Sequence, residues 1–317
     1  MAIISRTDTI YRGRAIVTYD GVTLYSSTPV QVRTRTDYFD IPVAGVGVID
    51  KKIKQVITEV TLTPHGEITA GILSKLFPHT SATPGASAIP ATDKSLVVHP
   101  ANGKEKLTFK NAFVSKMPDL MLSSVKTALG QVTFTAIGTN SEAWSASEHF
   151  VALADAAFSD TGLAATGVKT VPYSASLGAL SAPWNDIKTK SGWVVSFDVG
   201  LDAQEEDSIG LFDYLYNGQA RISCKCNPIG LKVADLHSLK LLQSSGAARG
   251  ASGTGLKAAL TITGGSGNPI LVVNNCVLDE AAHQYDTGDR VADLELVTVR
   301  GLTTGALDAL FSIGLVA

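Results

Sequence analysis

The sequence predicts a mainly β fold (β + flanking helices): two tandem antiparallel β-sandwich or barrel domains, each with one flanking α-helix. Three observations predict it. The same plan of blocks occurs twice, 163 or 164 residues apart. Several blocks alternate apolar and polar residues with a period of two, the pattern of a half-buried strand. Each copy also holds a single stretch of helical spacing among its strands, which suits a sheet assembly with a helix on its flank.

The elements follow in order. "VQVRT" (30–34) falls on "WVVSF" (193–197), and "GVID" (47–50) on "GLFD" (210–213). In "QVITEVTLT" the apolar Val56, Val60 and Leu62 alternate with Glu59, Thr61 and Thr63. In the second copy Ile222, Cys224 and Cys226 alternate with Arg221, Ser223, Lys225 and Asn227. Both strands end at a proline, Pro64 or Pro228, and a helix is expected after each. Ile68, Ile72 and Leu76 recur at spacings of four, and Val233, Leu236, Leu239 and Leu242 at spacings of three. Pro/Gly/Ser/Ala-rich loops come next, at 77–93 and 244–255. Strands are then expected at 95–98, 105–114 and 130–137, and at 257–263, 269–278 and 291–300. These align Asn111 with Asn275 and, through "GQVTFTAIG" over "DLELVTVRG", Gly138 with Gly301. "SASEHFVALADAAF" (145–158) has a capping-box spacing from Ser145 to Glu148, which predicts a short helix, and 303–311 is expected to be the same feature closing the second copy. The reading gives a first β-domain over 1–140 with an N-terminal arm, an inter-domain linker over 141–190, and a second β-domain over 191–317.

Composition narrows the function classes. The 317 residues are 45% hydrophobic and 17% charged, an ordered chain lean in charge. A net charge of -3 supplies no basic footprint for tight nucleic-acid binding. Residues 1–158 hold 15 basic against 13 acidic side chains and residues 159–317 hold 11 against 16, a tilt that suits unlike halves meeting head to tail. The opening "MAIISRTDTIYRGR" has too short an apolar run for a signal peptide, and no window approaches a membrane span. Three cysteines make no disulfide framework, so a reducing cytoplasm is expected.

Chemical motifs are sparse. Cys224 and Cys226 form a Cys-x-Cys, but they align with Val60 and Leu62, and Cys276 aligns with Ala112, so core packing is the expected role of all three. "GTGLKA" (253–258) has the letters of a dinucleotide fingerprint but is preceded by a Ser/Gly loop and followed by a strand pattern, the wrong context. Ser123 and Lys126 give an isolated S-x-x-K spacing, and the six histidines are scattered. No catalytic residue, cofactor or metal ligand is therefore expected. Acidic clusters recur at equivalent places, in "TRTDYFDIP" and "LDAQEEDSIG". Asp37, Tyr38, Asp40 and Asp50, with Asp202, Glu205, Glu206, Asp207 and Asp213, are the candidate inter-subunit positions, on connections expected to reach a neighbour.

Two collinear units, each with a long connection before a strand that ends in proline, then one helix and a strand hairpin, resemble the tail tube (major tail) proteins of long-tailed bacteriophages. That fold is shared with the tube protein of type VI secretion. The resemblance covers about 30–138 and 193–301 and rests on element order, composition and duplication. It implies a non-enzymatic virion protein, assembled in the host cytoplasm, whose rings stack into a tube through which DNA passes during genome ejection. Relatives of that kind form hexameric rings from one domain per chain; two domains here imply a homotrimeric, pseudo-hexameric ring, with a hexamer as the alternative. Implied partners are further copies of the chain and other tail proteins (tape measure, terminator, tip or baseplate), with no membrane and no sequence-specific DNA binding. Another tail component of the same fold, such as a tip, terminator or tube-initiator ring, is the alternative reading. A β-barrel enzyme or small-molecule binder is the rival from a different class.

Overall fold

The computed structural model describes residues 15–100, 106–125, 127–137, 150–153, 173–178, 180–206, 210–236, 258–284, 290–299, 302–303 and 306–316. The fold is mainly β. In chain order the first half holds β1 (Ala15–Tyr19), β2 (Val22–Ser26), β3 (Gln31–Val43), β4 (Gly47–Leu62), β5 (Pro64–His65), α1 (Ala70–Leu76), β6 (Leu96–Pro100), β7 (Lys106–Phe109), β8 (Ala112–Lys116), β9 (Leu120–Leu122), β10 (Thr127–Leu129), β11 (Val132–Ile137) and β12 (Phe150–Leu153). The second half holds β13 (Ser174–Leu177), β14 (Lys188–Asp198), β15 (Leu201–Glu206), β16 (Gly210–Tyr216), β17 (Arg221–Ile229), β18 (Ala258–Thr263), β19 (Pro269–Gln284), β20 (Arg290–Thr298), β21 (Leu302–Thr303), β22 (Ala306–Leu307) and β23 (Phe311–Leu315). No described helix is long and apolar enough to cross a membrane.

Strand order repeats between the halves. One sheet runs β3-β4-β11-β8, and a larger sheet contains β14-β17-β20-β19 in the same sequence. Registers agree as well. Val32 pairs with Val60 and Val60 with Phe134, as Val195 pairs with Cys224 and Cys224 with Leu296. A second sheet runs β12-β7-β6-β1-β2-β5, and its β12-β7-β6-β1 portion is matched by β23-β19-β18-β13. There Leu96 pairs with Phe109 and Phe109 with Phe150, as Leu260 pairs with Val273 and Val273 with Phe311. The equivalent Asn111 and Asn275 both hold left-handed backbone, at φ 50 and 53, a conformation asparagine tolerates better than other side chains.

Several expectations are corrected. The alignment of Phe134 with Val297 is one residue out, since pairing makes Leu296 the counterpart; a single-residue slip in a strand exchanges its two faces. The helix expected over 145–158 is not formed at Phe150–Leu153, which is strand β12 on the edge of β7. Its partner segment 303–311 likewise holds the strand pair β21–β22 and leads into β23. The two segments do correspond, as edge strands: the sheet edge offers backbone partners that outweigh a local capping signal. The stretch 141–190 contains β13, which pairs with β18 as β1 pairs with β6, so it is part of the larger sheet and not only a linker. Helix α1 starts after Ile68 because Thr69 caps it, its Oγ1 accepting from the Ile72 amide at 3.2 Å, and Leu73 and Leu76 form its buried face. The second helix is described only as a turn over 233–236, with Leu236 buried; Leu239 and Leu242 lie outside the described residues.

One hydrophobic core runs through both halves. Phe77, just past α1, meets Phe197 at 5.0 Å and Phe311 at 6.4 Å between ring centroids, joining first-half and second-half elements edge to face. Strand β9 of the first half pairs with β14, extending the larger sheet across the junction.

Candidate functional site

The connections that carry the two acidic clusters, expected to reach a neighbour, are not loops. Each half presents a β-hairpin there, β3–β4 in the first and β15–β16 in the second. Their tips share one construction. Pro42 pairs with Val48 and Ile41 with Asp50, leaving Ile49 as an extra residue; Glu205 pairs with Leu211 and Gln204 with Asp213, leaving Phe212 at the equivalent place.

They differ at the base. The first-half hairpin stays paired into the sheet through a bulge at which residues 36–37 oppose 54–56, whereas the second is interrupted between Asp198↔Arg221 and Leu201↔Tyr216 by one residue more. Two residues, Val199 and Gly200, there oppose four, Asn217 to Ala220. Gly200 and Gly218 occupy φ 59 and 83, which a side chain would strain. The extra residue and the two glycines let β15–β16 leave the sheet and fold onto the first half.

There Leu211, 1% exposed, packs with Ile57 and Ile137, and Tyr214 lies 5.1 Å from the Phe113 ring. Strand β16 also gains backbone partners from the long loop after α1: the Ala88 amide donates to the Tyr214 carbonyl at 2.7 Å, Gly85 to Tyr216 at 2.8 Å, and Tyr216 to Ala86 at 3.1 Å. Ser87 Oγ donates to Asp213 Oδ1 at 2.6 Å. His79 closes this clasp from within. It is buried, with Nε2 2.6 Å from the Val114 carbonyl and Nδ1 2.6 Å from the Tyr216 hydroxyl. A carbonyl can only accept, so Nε2 carries the proton and Nδ1 accepts from Tyr216. Burial lowers the His79 pKa, opposed by the Val114 bond, and pushes the Tyr216 phenol up to about 12.

The β3–β4 hairpin has no such cover among the described residues. Val43, Val46, Val48 and Ile49 are exposed along its tip, Val46 by 71% and Val48 by 51%. Of the predicted positions, Tyr38 is half exposed, Asp40 ion-pairs with Lys51 at 3.2 Å, and Asp50 accepts from the Lys51 amide. Asp37 lies on β3, Glu206 on β15, and Asp207 is outside the described residues. Asp202 accepts from Asn217 Nδ2 at 3.0 Å, bracing the hinge, and Glu205 is exposed. The two acidic sets are therefore not brought together: one lies on an open hairpin, the other on a folded one. Sequence reading singled out the charges and passed over the apolar run Val43 to Ile49, whose lack of alternation was the available signal.

Elsewhere the chemistry is structural. Cys224, Cys226 and Cys276 are buried free thiols. Cys224 is held well above the usual thiol range by its contact with Cys276 and by burial, and Cys226 is pushed to about 12 by burial, so neither is a ready thiolate. No group of three or more His, Cys, Asp or Glu among the described residues is placed to hold a metal ion. On the outer face of β17 and β20, Glu295 receives Ser223 Oγ at 2.6 Å and Lys225 at 3.0 Å, while Arg221 reaches Asp279 at 2.6 Å. Burial works to raise the Glu295 pKa, but these donors outweigh it and leave it lowered.

No protein-family model matches the chain, and no curated protein is significantly similar to it in sequence.

Proposed function

We propose that the chain is a structural virion protein, a tail tube subunit that associates with copies of itself into stacked rings whose channel conducts DNA. The observation that carries the reading is the pairing of a repeated strand plan with an apolar hairpin that the described residues cover in one half and leave open in the other. A duplicated unit whose two copies already pack side by side has the form of an arc of a ring, and three such chains supply six pseudo-equivalent units. The duplication itself is part of the proposal, supported by the matched registers, bulges and left-handed asparagines.

Charge supports passage of DNA without retention. Arg221 and Lys225, on the outer face of the larger sheet, are each paired with a carboxylate, and the matching face of the β3-β4-β11-β8 sheet carries Arg33 and Arg35 beside Glu59 together with hydroxyls, Thr61 and Thr133 lying 3.4 Å apart and Thr135 donating to Ser115 at 2.7 Å. Cations already neutralised release few counterions from a polyanion, so binding there is weak. The reading assigns the protein no catalysis.

Negative-stain electron microscopy of the purified chain tests it. Rings or tubes with a central channel are expected, with threefold symmetry in the class averages. A compact monomer that persists at high concentration overturns the proposal.

A further inference from the structure

The junction between the two halves points to a second, unoccupied junction of the same design. Two of the contacts that join the halves are made by strands on sheet edge and face: β9 of the first half adds to the edge of β14, and β15–β16 of the second half folds onto the outer face of the first at Ile57 and Ile137. Each contact has a counterpart that the described residues leave open. Strand β3 is the equivalent of β14 by register, and among the described strands its far edge has no partner. Val195 on β14 is 0% exposed, whereas its equivalent Val32 on β3 is 40% exposed. Leu211 on the folded hairpin is covered, whereas its equivalent Val48 is not.

The receiving surface also has a counterpart. Ile57 and Ile137, the seat of Leu211, correspond by strand pairing to Arg221 and Val299 in the second half. Phe113 and Thr135, paired across β8 and β11, correspond to Val277 and Val297, paired across β19 and β20. Val299 and Val277 are half-buried on that face, beside Arg221 and Asp279. It offers an apolar floor with a charged rim.

We infer that the occupant is a second copy of this chain, joined head to tail. The β3–β4 hairpin of one copy lies over Arg221, Val277 and Val299 of its neighbour, and the neighbour's β19–β20 end adds to the open β3 edge. Both contacts are then made between the same two faces, first half to second half, as they are inside the chain. A contact of this kind is heterologous, so it closes into a ring or propagates. An open strand edge beside exposed valines is otherwise an aggregation liability, and self-pairing removes it. The inference rests on the reading above only in requiring that the chain self-associates; it names the surface.

Disulfide trapping tests it on the full chain. With Val48→Cys and Val299→Cys together, mild oxidation is expected to give covalent dimers and higher species, while either single variant gives none. Val48→Lys is expected to weaken self-association by about tenfold or more, as read by light scattering, while Val125→Lys, at another exposed valine, leaves it unchanged. Assembly that persists without cross-linking, and with Val48→Lys silent, overturns this surface and leaves the tube reading standing. A wild-type chain that stays monomeric at every concentration overturns both, and assigns the hairpin to a different partner.

Discussion

The hairpins β3–β4 and β15–β16 share tip register and bulge, yet one stands open and the other is folded into the core. The difference comes from the base of each, where one additional residue and two positive-φ glycines free the second hairpin to turn. Tip residues then acquire opposite roles from the same position. Leu211→Ala, which empties a buried site, is expected to cost about 2–4 kcal/mol, while Val48→Ala on the dilute monomer should change stability by about 0.5 kcal/mol or less. Urea denaturation of both variants measures the contrast. Equal costs would show that the β3–β4 tip is also packed within its own chain, and would remove the asymmetry.

A second contrast lies beneath the sheets. In the first half Val30 and Leu62 occupy the places that Trp193 and Cys226 take in the second, where Trp193 and Cys226 are paired across β14 and β17 and both are buried. The large tryptophan is accommodated by the small thiol. Cys226→Leu alone is expected to overpack the site and cost about 1–3 kcal/mol. Adding Trp193→Val, which restores the first-half pair of sizes, should give a double variant less destabilised than the sum of the singles. Strict additivity in denaturation would mean that the two side chains do not share one packing volume.

These contrasts also mark what was legible in the sequence. Alternation in 56–62 and 221–227 revealed the core strands, because one buried face imposes a period of two. It placed Cys224 and Cys226 in the core correctly. Partner choice was not legible. Phe150–Leu153 reads as a helix until β7 supplies an edge, and β15–β16 reads like β3–β4 until the chain offers it a surface at Ile57. The expected positions among the described residues fall on the two hairpins, but the sequence reading chose their charges. These acidic residues mostly pair locally or face solvent, while the valines between them distinguish the open hairpin.

The smallest effect expected concerns how firmly the folded hairpin is held as pH changes. His79 bonds to Tyr216 at the end of β16 and to Val114 in β8, while the position equivalent to Tyr216 in β4 of the first hairpin is Ile53, so at that position the folded hairpin has a phenol to fasten and the open one has none. Burial holds the folded His79 pKa below its ordinary value of 6.5, so the unfolded chain takes up a proton that the folded chain refuses. Its contribution is complete above about pH 6.5 and is lost as pH falls, by at most about 1.4 kcal/mol per pH unit, until the lowered folded pKa is reached. The His79→Gln variant keeps hydrogen-bonding capacity and removes the titration. Its stability between pH 6.5 and 5.5 should therefore decline less than that of the wild type, the difference being at most about 1 kcal/mol. Parallel pH dependence in the two proteins would show that His79 takes up its proton as readily folded as unfolded. The clasp would then be indifferent to pH, as the open hairpin is at the same position.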